Sequence, residues 1–412
     1  MPAPTPVLTP TTACELVGER CLAPDDDGRV GIELEWLPRS TADPRCFAPA
    51  DIDGRAGTSV GDGASRLTME PGGQVELSSR PLTLGRACEA LASDAATLAA
   101  ELADDGVALV GLGLDPGTLP ERRLHAPRYD AMERYFDAHC PAGRTMMRAT
   151  AALQVNLDAG GTEQEAQARW RRAQDAGPTL AAAFANSPLA DGRPSGWRSR
   201  RLAVWAEVDR CSLASHRPAD DPRAAYACYA LDARVMLIRG DGDQFVPVLD
   251  ALTFAEWIDR GHPLGYPTVD DLDYHLTTLF PPVRPRGWLE LRMIDALPDP
   301  WWRVAVAVAT AVVTDAAVAE AVAPTLAPTR GRWLDAARHA VRHPELGAAA
   351  TQCVEATLGA VSRLDADPGT VAALEAFHSR FTAQGRCPAD ERLDEWTRSG
   401  ALVPVPDRFV PA

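Results

Sequence analysis

Val30-Gly-Ile-Glu-Leu-Glu-Trp36 alternates with period two, so Val30, Ile32, Leu34 and Trp36 share one strand face while Gly31, Glu33 and Glu35 share the other. Two further stretches repeat the pattern. Leu153-Gln-Val-Asn-Leu157 sets Leu153, Val155 and Leu157 against Gln154 and Asn156, and Leu289-Glu-Leu-Arg-Met293 sets Leu289, Leu291 and Met293 against Glu290 and Arg292. A fourth, Thr68-Met-Glu-Pro-Gly-Gly-Gln-Val-Glu-Leu77, places Glu70 before a Pro-Gly-Gly turn and puts Gln74 and Glu76 on one face after it. Read singly, each polar face is the solvent side of an amphipathic strand. Together they are unusual, because exposed strand faces draw Thr, Lys, Arg and Ser, whereas these draw Glu with amide partners. Neighbouring glutamates on one face repel by a few tenths to about 1 kcal/mol unless a cation lies between them. Brought together, Glu33, Glu35, Glu70, Glu76 and Glu290 would form a hard-oxygen site suited to Mg²⁺ or Mn²⁺, with substrate phosphates completing the octahedron.

Around these stretches the chain mixes strands and helices. Residues 107–111 read as a strand, 86–105 as a helix and 162–186 as one or two helices. Everything after Pro300 reads as Ala-rich helix broken at Pro324, Pro328, Pro344 and Pro368. Residues 191–196 and 280–287 read as loops. The expected class is α+β: one catalytic domain over residues 1–412, with a sheet-containing core at about 20–300 and a mainly helical part at about 301–400. The most apolar run, 304–313, is about half a membrane span and reads as a buried helix. The first ten residues lack the basic and apolar regions of a signal peptide.

The 412 residues carry 41 Lys+Arg against 57 Asp+Glu, a net charge of 41 − 57 = −16, and all 41 basic residues are arginine. Without lysine there is no P-loop, no Schiff-base lysine for pyridoxal chemistry and no kinase strand lysine. The acidic balance argues against nucleic acid or an anionic membrane as partner. Nine scattered cysteines form no CxxC pair, which excludes zinc ribbons and fits a reducing cytoplasm. His339 and His343 stand at helical spacing but lack a third zinc ligand. Asp25-Asp-Asp27 reads as a solvated turn, and Asp270, Asp271 and Asp273 as the acidic start of a helix.

Gly31-Ile-Glu-Leu-Glu-Trp36, Glu70-Pro-Gly-Gly-Gln-Val-Glu-Leu-Ser78, Met146-Met-Arg-Ala-Thr-Ala-Ala-Leu-Gln-Val-Asn156 and Leu289-Glu-Leu-Arg-Met-Ile-Asp295 resemble the glutamate–cysteine ligase family. The likeness is closer to its actinobacterial ergothioneine-pathway branch, related to the plant-type enzymes. The resemblance implies a glutamine-synthetase-like fold, a curved antiparallel sheet forming half a funnel with helices outside. It implies ligation of the L-glutamate γ-carboxylate to the L-cysteine amine with ATP as co-substrate, through a γ-glutamyl phosphate, by a monomer or homodimer. On this reading Glu33, Glu35, Glu70, Glu76, Glu290 and Gln154 are metal ligands, and Arg292, Glu290 and Glu33 are catalytic. Arg201, Asn156, Gln74, Tyr226, Tyr229 and Arg148 bind substrate. Arg198 and Arg200 compete with Arg201 for glutamate, and Arg234 stands where the family has proline. Residues 51–65 and 185–196 are candidates for a closing loop. The alternatives are a ligase for another amine and a non-catalytic amino-acid-binding relative.

Overall fold

The computed structural model describes residues 8–24, 28–48, 55–208, 221–240 and 242–403. Its strands are β1 (Val30–Ser40), β2 (Ser59–Val60), β3 (Ser65–Met69), β4 (Val75–Ser78), β5 (Val107–Val110), β6 (Ala152–Asp158), β7 (Leu189–Ala190), β8 (Arg193–Pro194), β9 (Leu237–Arg239), β10 (Phe245–Pro247), β11 (Val283–Pro285) and β12 (Trp288–Asp295). Eight of them form one antiparallel sheet in the order β11-β12-β6-β1-β4-β3-β2, with β5 pairing the second half of β1. Alternation decides its two faces. Ile32, Leu34, Leu67, Leu77, Leu153, Val155, Leu157, Leu289 and Leu291 are all buried on the apolar side.

Most of the helices cover that side, while a few of them wall the polar face. Before β6 come α1 (Pro10–Cys21), α2 (Leu84–Asp104), α3 (Pro127–His139) and α4 (Ala142–Ala149). In α2 the buried positions Leu84, Cys88, Leu91, Ala95, Leu98 and Leu102 recur every three or four residues, so one stripe lies on the sheet. Next come α5 (Glu163–Ala183), α6 (Arg200–Val208), α7 (Pro222–Asp232), α8 (Phe254–Arg260) and α9 (Val269–Thr277). Thr162 starts α5 by accepting the Glu165 N–H at 3.2 Å. The C-terminal part is α10 (Trp301–Thr314), α11 (Ala316–Leu326), α12 (Trp333–His339), α13 (Pro344–Leu358), α14 (Pro368–Arg380) and α15 (Pro388–Ser399). The Val/Ala-rich α10 is buried on nearly every side and shares one apolar core with the sheet, α5 and α14. Among the described residues no single helix is long and apolar enough to cross a membrane.

Several local expectations need correction. Pro324 does not break a helix, because it lies within α11; the break falls at Asp315, whose carboxylate caps α11 by accepting the Val318 N–H at 3.0 Å. His339 ends α12 and His343 caps α13, so the two histidines do not share a helix face. Residues 280–287 are not all loop: β11 pairs there with β12. Residues 189–194 form the β7–β8 hairpin, whose turn residues Asp191 and Gly192 have φ of 50° and 76°. Of the 51–65 segment, residues 51–54 lie outside the described residues, as do Asp25–Asp27. The remainder is pinned to α2, where the buried Asp94 carboxylate accepts the backbone N–H groups of Gly63 and Ser65, each at 3.0 Å.

Candidate active site

Strand register builds the site from neighbouring polar residues. Glu33 lies opposite Gln154, Glu35 opposite Glu76, Glu290 opposite Asn156, and Arg284 opposite Glu290. All of these side chains but Asn156 line a cleft of about 430 Å³ on the polar face of the sheet, joined by Glu70, Gln74, Arg128, Tyr129, Arg201, Trp205, Phe280, Arg286 and Arg292. The Glu70–Gln74 turn reaches the cleft through two crossed backbone bonds, Glu70 N to Gln74 O and Gly73 N to Glu70 O, both 2.8 Å. At Gly72 a Cβ would lie 2.0 Å from the Arg148 carbonyl oxygen, so only glycine lets the turn pack there.

Charge is divided along the cleft. At one end Glu290 accepts from Arg284 Nε at 2.5 Å, Arg284 Nη2 at 2.9 Å and Arg292 Nη1 at 3.0 Å, with Arg286 at 3.5 Å. Burial opposes its ionisation, but Arg292 and Arg284 outweigh that and hold it down at about 2. At the other end the acids lack comparable partners. Burial first, then Glu76 and Glu290, raises Glu33 to about 7. Burial likewise raises Glu35, Glu76 and most strongly Glu70, which also feels the charges of Glu76 and Glu35. Their hydrogen bonds come from neutral groups: Asn156 Nδ2 to Glu33 (3.0 Å), Ala152 N–H and Gln154 Nε2 to Glu35 (2.8 and 3.0 Å), and Thr68 Oγ1 to Glu76 (2.6 Å). Arg292 stands between the two ends, donating to Glu290 and to Gln154 Oε1 while lying 5.6 Å from the centre of the Phe280 ring. The four under-neutralised carboxylates fit a hard divalent cation in chemistry. Among the described residues, however, no three acids stand as a ready-made cage.

The other candidates divide. Arg201 is buried at the cleft wall, donating to the Arg292 carbonyl at 2.9 Å. Arg198 instead binds Asp390 at 2.9 Å and Arg200 binds Glu207 at 2.7 Å, so of the three competitors Arg201 alone reaches the cleft. Gln74 lines the cleft while its Nε2 is spent on the Thr150 carbonyl at 2.7 Å. Asn156 sits behind Glu33, its Oδ1 accepting the Trp288 indole N–H at 2.9 Å. Three expected substrate contacts fall elsewhere. The Arg148 guanidinium is taken by Glu133, and Arg148 meets the site only through its carbonyl. Tyr226 and Tyr229 point into the apolar core, Tyr226 edge-on to Trp170 at 6.0 Å, because α7 packs its buried face inward.

A model of glutamate–cysteine ligase family 2 (GCS2) matches residues 29–405. The chain belongs to this family. Glutamate–cysteine ligase EgtA of Mycolicibacterium smegmatis is 39% identical over 407 residues, covering 94% of this chain and 92% of that protein. The EgtA of Mycobacterium tuberculosis H37Rv is 37% identical, over 96% and 92%. The chloroplastic glutamate–cysteine ligase of Brassica juncea is 32% identical over 60% of this chain and 49% of its own. In fold, the crystal structure of the Francisella tularensis glutamate–cysteine ligase in complex with AMP matches with a TM-score of 0.53 at 11% identity, over 92% of this chain and 87% of the other. Reading residues 280–287 as loop hid Arg284 and Arg286, whose two-residue spacing just ahead of the Leu289–Met293 strand is their one signal in the sequence. Arg128, Tyr129, Trp205 and Phe280 carry no comparable signal, since helices and loops from separate parts of the chain bring them in.

Proposed function

We propose that this ATP-dependent ligase joins the γ-carboxylate of L-glutamate to the amine of L-cysteine in the cleft between the four-glutamate wall and the arginine end. The observation that carries this reading is the position of Arg292, shared between the two. A carboxylate is a poor acyl donor, so ATP must first convert it to a γ-glutamyl phosphate, and phosphoryl transfer needs positioning and positive charge more than covalent help. Arg284, Arg286 and Arg292 receive the phosphates, and Arg201 holds the glutamate carboxylate. Glu33, Glu35, Glu70 and Glu76 would hold Mg²⁺ or Mn²⁺, which when bound neutralises phosphate charge. Glu290 and Gln154, bonded here to Arg284 and Arg292, would complete that ligand set. Met132, Met146, Met147, Trp205 and Phe280 line the cleft and keep water from the acyl phosphate. A cleft carboxylate or the phosphoryl oxygen takes the amine proton. We read residues 1–412 as one catalytic domain working in the cytoplasm, where its free cysteines persist, with the product passing to ergothioneine or another small thiol.

The test is ADP release from ATP, Mg²⁺ and L-glutamate with a panel of amines. Cysteine should be preferred; equal turnover with other amino acids would remove the acceptor assignment. Full turnover by Glu33→Gln and Glu290→Gln would remove the site.

A further inference from the structure

Strict alternation along β12 would put residue 295 on the core side with Leu289 and Leu291. The register says otherwise. Leu291 pairs with Val155 and Ile294 with Leu153, so β12 spends three steps where β6 spends two. The bulge at 292–293 returns Ile294 to the core and turns Asp295, opposite Ala152, to the cleft side of the sheet. There the carboxylate is fully buried and accepts four contacts. Oδ2 takes the Asn186 N–H at 2.8 Å and the Ser187 hydroxyl at 2.7 Å. Oδ1 takes the Ser199 hydroxyl at 2.8 Å, with Arg201 Nη1 at 3.8 Å. Each serine then passes the constraint on: Ser187 Oγ accepts the Arg201 N–H, and Ser199 Oγ accepts the Leu202 N–H, both at 3.1 Å. The first turn of α6, and the arginine it sends into the cleft, thus hang on one acid from the end of β12. Gly113 is part of this arrangement, since a Cβ there would lie 2.4 Å from the Asp295 carboxyl carbon.

We propose that Asp295 is the positioning residue of Arg201, setting both the guanidinium and the backbone turn that carries it. The inference rests on the reading of Arg201 as the glutamate-binding arginine. In Asp295→Asn the side-chain size is kept while the charge facing Arg201 is lost. The expected result is a KM for glutamate raised about tenfold, with kcat and the KM for ATP within about twofold. Ser199→Ala, which cuts only one hydroxyl link, should raise the same KM by about threefold and serves if the first variant does not fold. The deciding measurement is the double variant: with Arg201→Ala already present, Asp295→Asn should add nothing to the KM for glutamate. Full additivity, or a parallel loss in kcat and every KM, would show a general structural role and overturn the proposal. An unchanged KM for glutamate in Arg201→Ala alone would instead refute the Arg201 reading itself.

Discussion

Replacing Glu33 by Gln should make the metal-free protein more stable while abolishing its use. In the folded protein this carboxyl is raised from an ordinary 4.5 to about 7, by burial and by the charges of Glu76 and Glu290. A raised acid holds its proton more tightly when folded, so its contribution to stability is whole below pH 4.5 and is lost as pH rises through 7. At about 1.36 kcal/mol per pH unit, that span amounts to about 3 kcal/mol. Glu33 lines an open cleft and water reaches it, so this is a ceiling. Glutamine keeps the oxygen that accepts the Asn156 amide and removes the charge. The variant should therefore exceed the wild type by about 1 kcal/mol or less at pH 5 and by up to about 3 kcal/mol at pH 8. His275, buried and lowered to about 4, pulls the other way, gaining stability as pH rises from 4 to 6.5. It is common to both proteins and cancels in the difference. Urea unfolding at the two pH values, with and without Mg²⁺ and ATP, reads the effect. Ligand should stabilise the wild type more than the variant. An equal gain at both pH values, or no gain at pH 8, would show that charge crowding at Glu33 is not what the structure implies.

Three other outcomes follow from the packing. Arg284→Met strips Glu290 of two buried hydrogen bonds and should cost about 3 kcal/mol by urea unfolding, with turnover lost. Gly72→Ala forces a Cβ against the Arg148 carbonyl; it should destabilise by more than about 1 kcal/mol and weaken Mg²⁺–ATP binding by calorimetry, because Glu70 moves with the turn. Arg200→Ala breaks only an ion pair at the surface and should leave the KM for glutamate unchanged, with stability altered by less than about 0.5 kcal/mol.

The strand faces were legible because alternation is a local property: Glu33, Glu35, Glu76, Gln154 and Glu290 each fall on the polar face of their own strand, and the register joins those faces. The Pro-Gly-Gly turn was legible for the same reason. What local pattern could not carry was pairing. Only the β11–β12 partnership shows that Arg284 faces Glu290, and only the bulge shows that Asp295 leaves the core. Tyr226 and Tyr229 were misjudged because an aromatic pair on a helix reads alike whether it faces substrate or, as here, Trp170 and the inner core. The choice among Arg198, Arg200 and Arg201 needed the fold too. Asp390 on α15 claims the first, solvent-facing Glu207 the second, and the cleft the third.

The missing lysine acquires a different meaning at the cleft wall. Its lining includes five carboxylates, Glu33, Glu35, Glu70, Glu76 and Glu290, and five arginines, Arg128, Arg201, Arg284, Arg286 and Arg292. A guanidinium does not deprotonate in a protein, so every positive charge on that surface is permanent. Acidity can therefore tune the cleft in one direction only. Protons accumulating on Glu33, Glu35, Glu70 and Glu76 leave only Glu290 ionised against five arginines, a strongly cationic surface that attracts polyphosphate yet has lost its seat for a divalent ion. Raising the pH restores that seat while the arginines keep their full charge for phosphate. A lysine in place of any of the five arginines would open a second titration and blur that one-sided response.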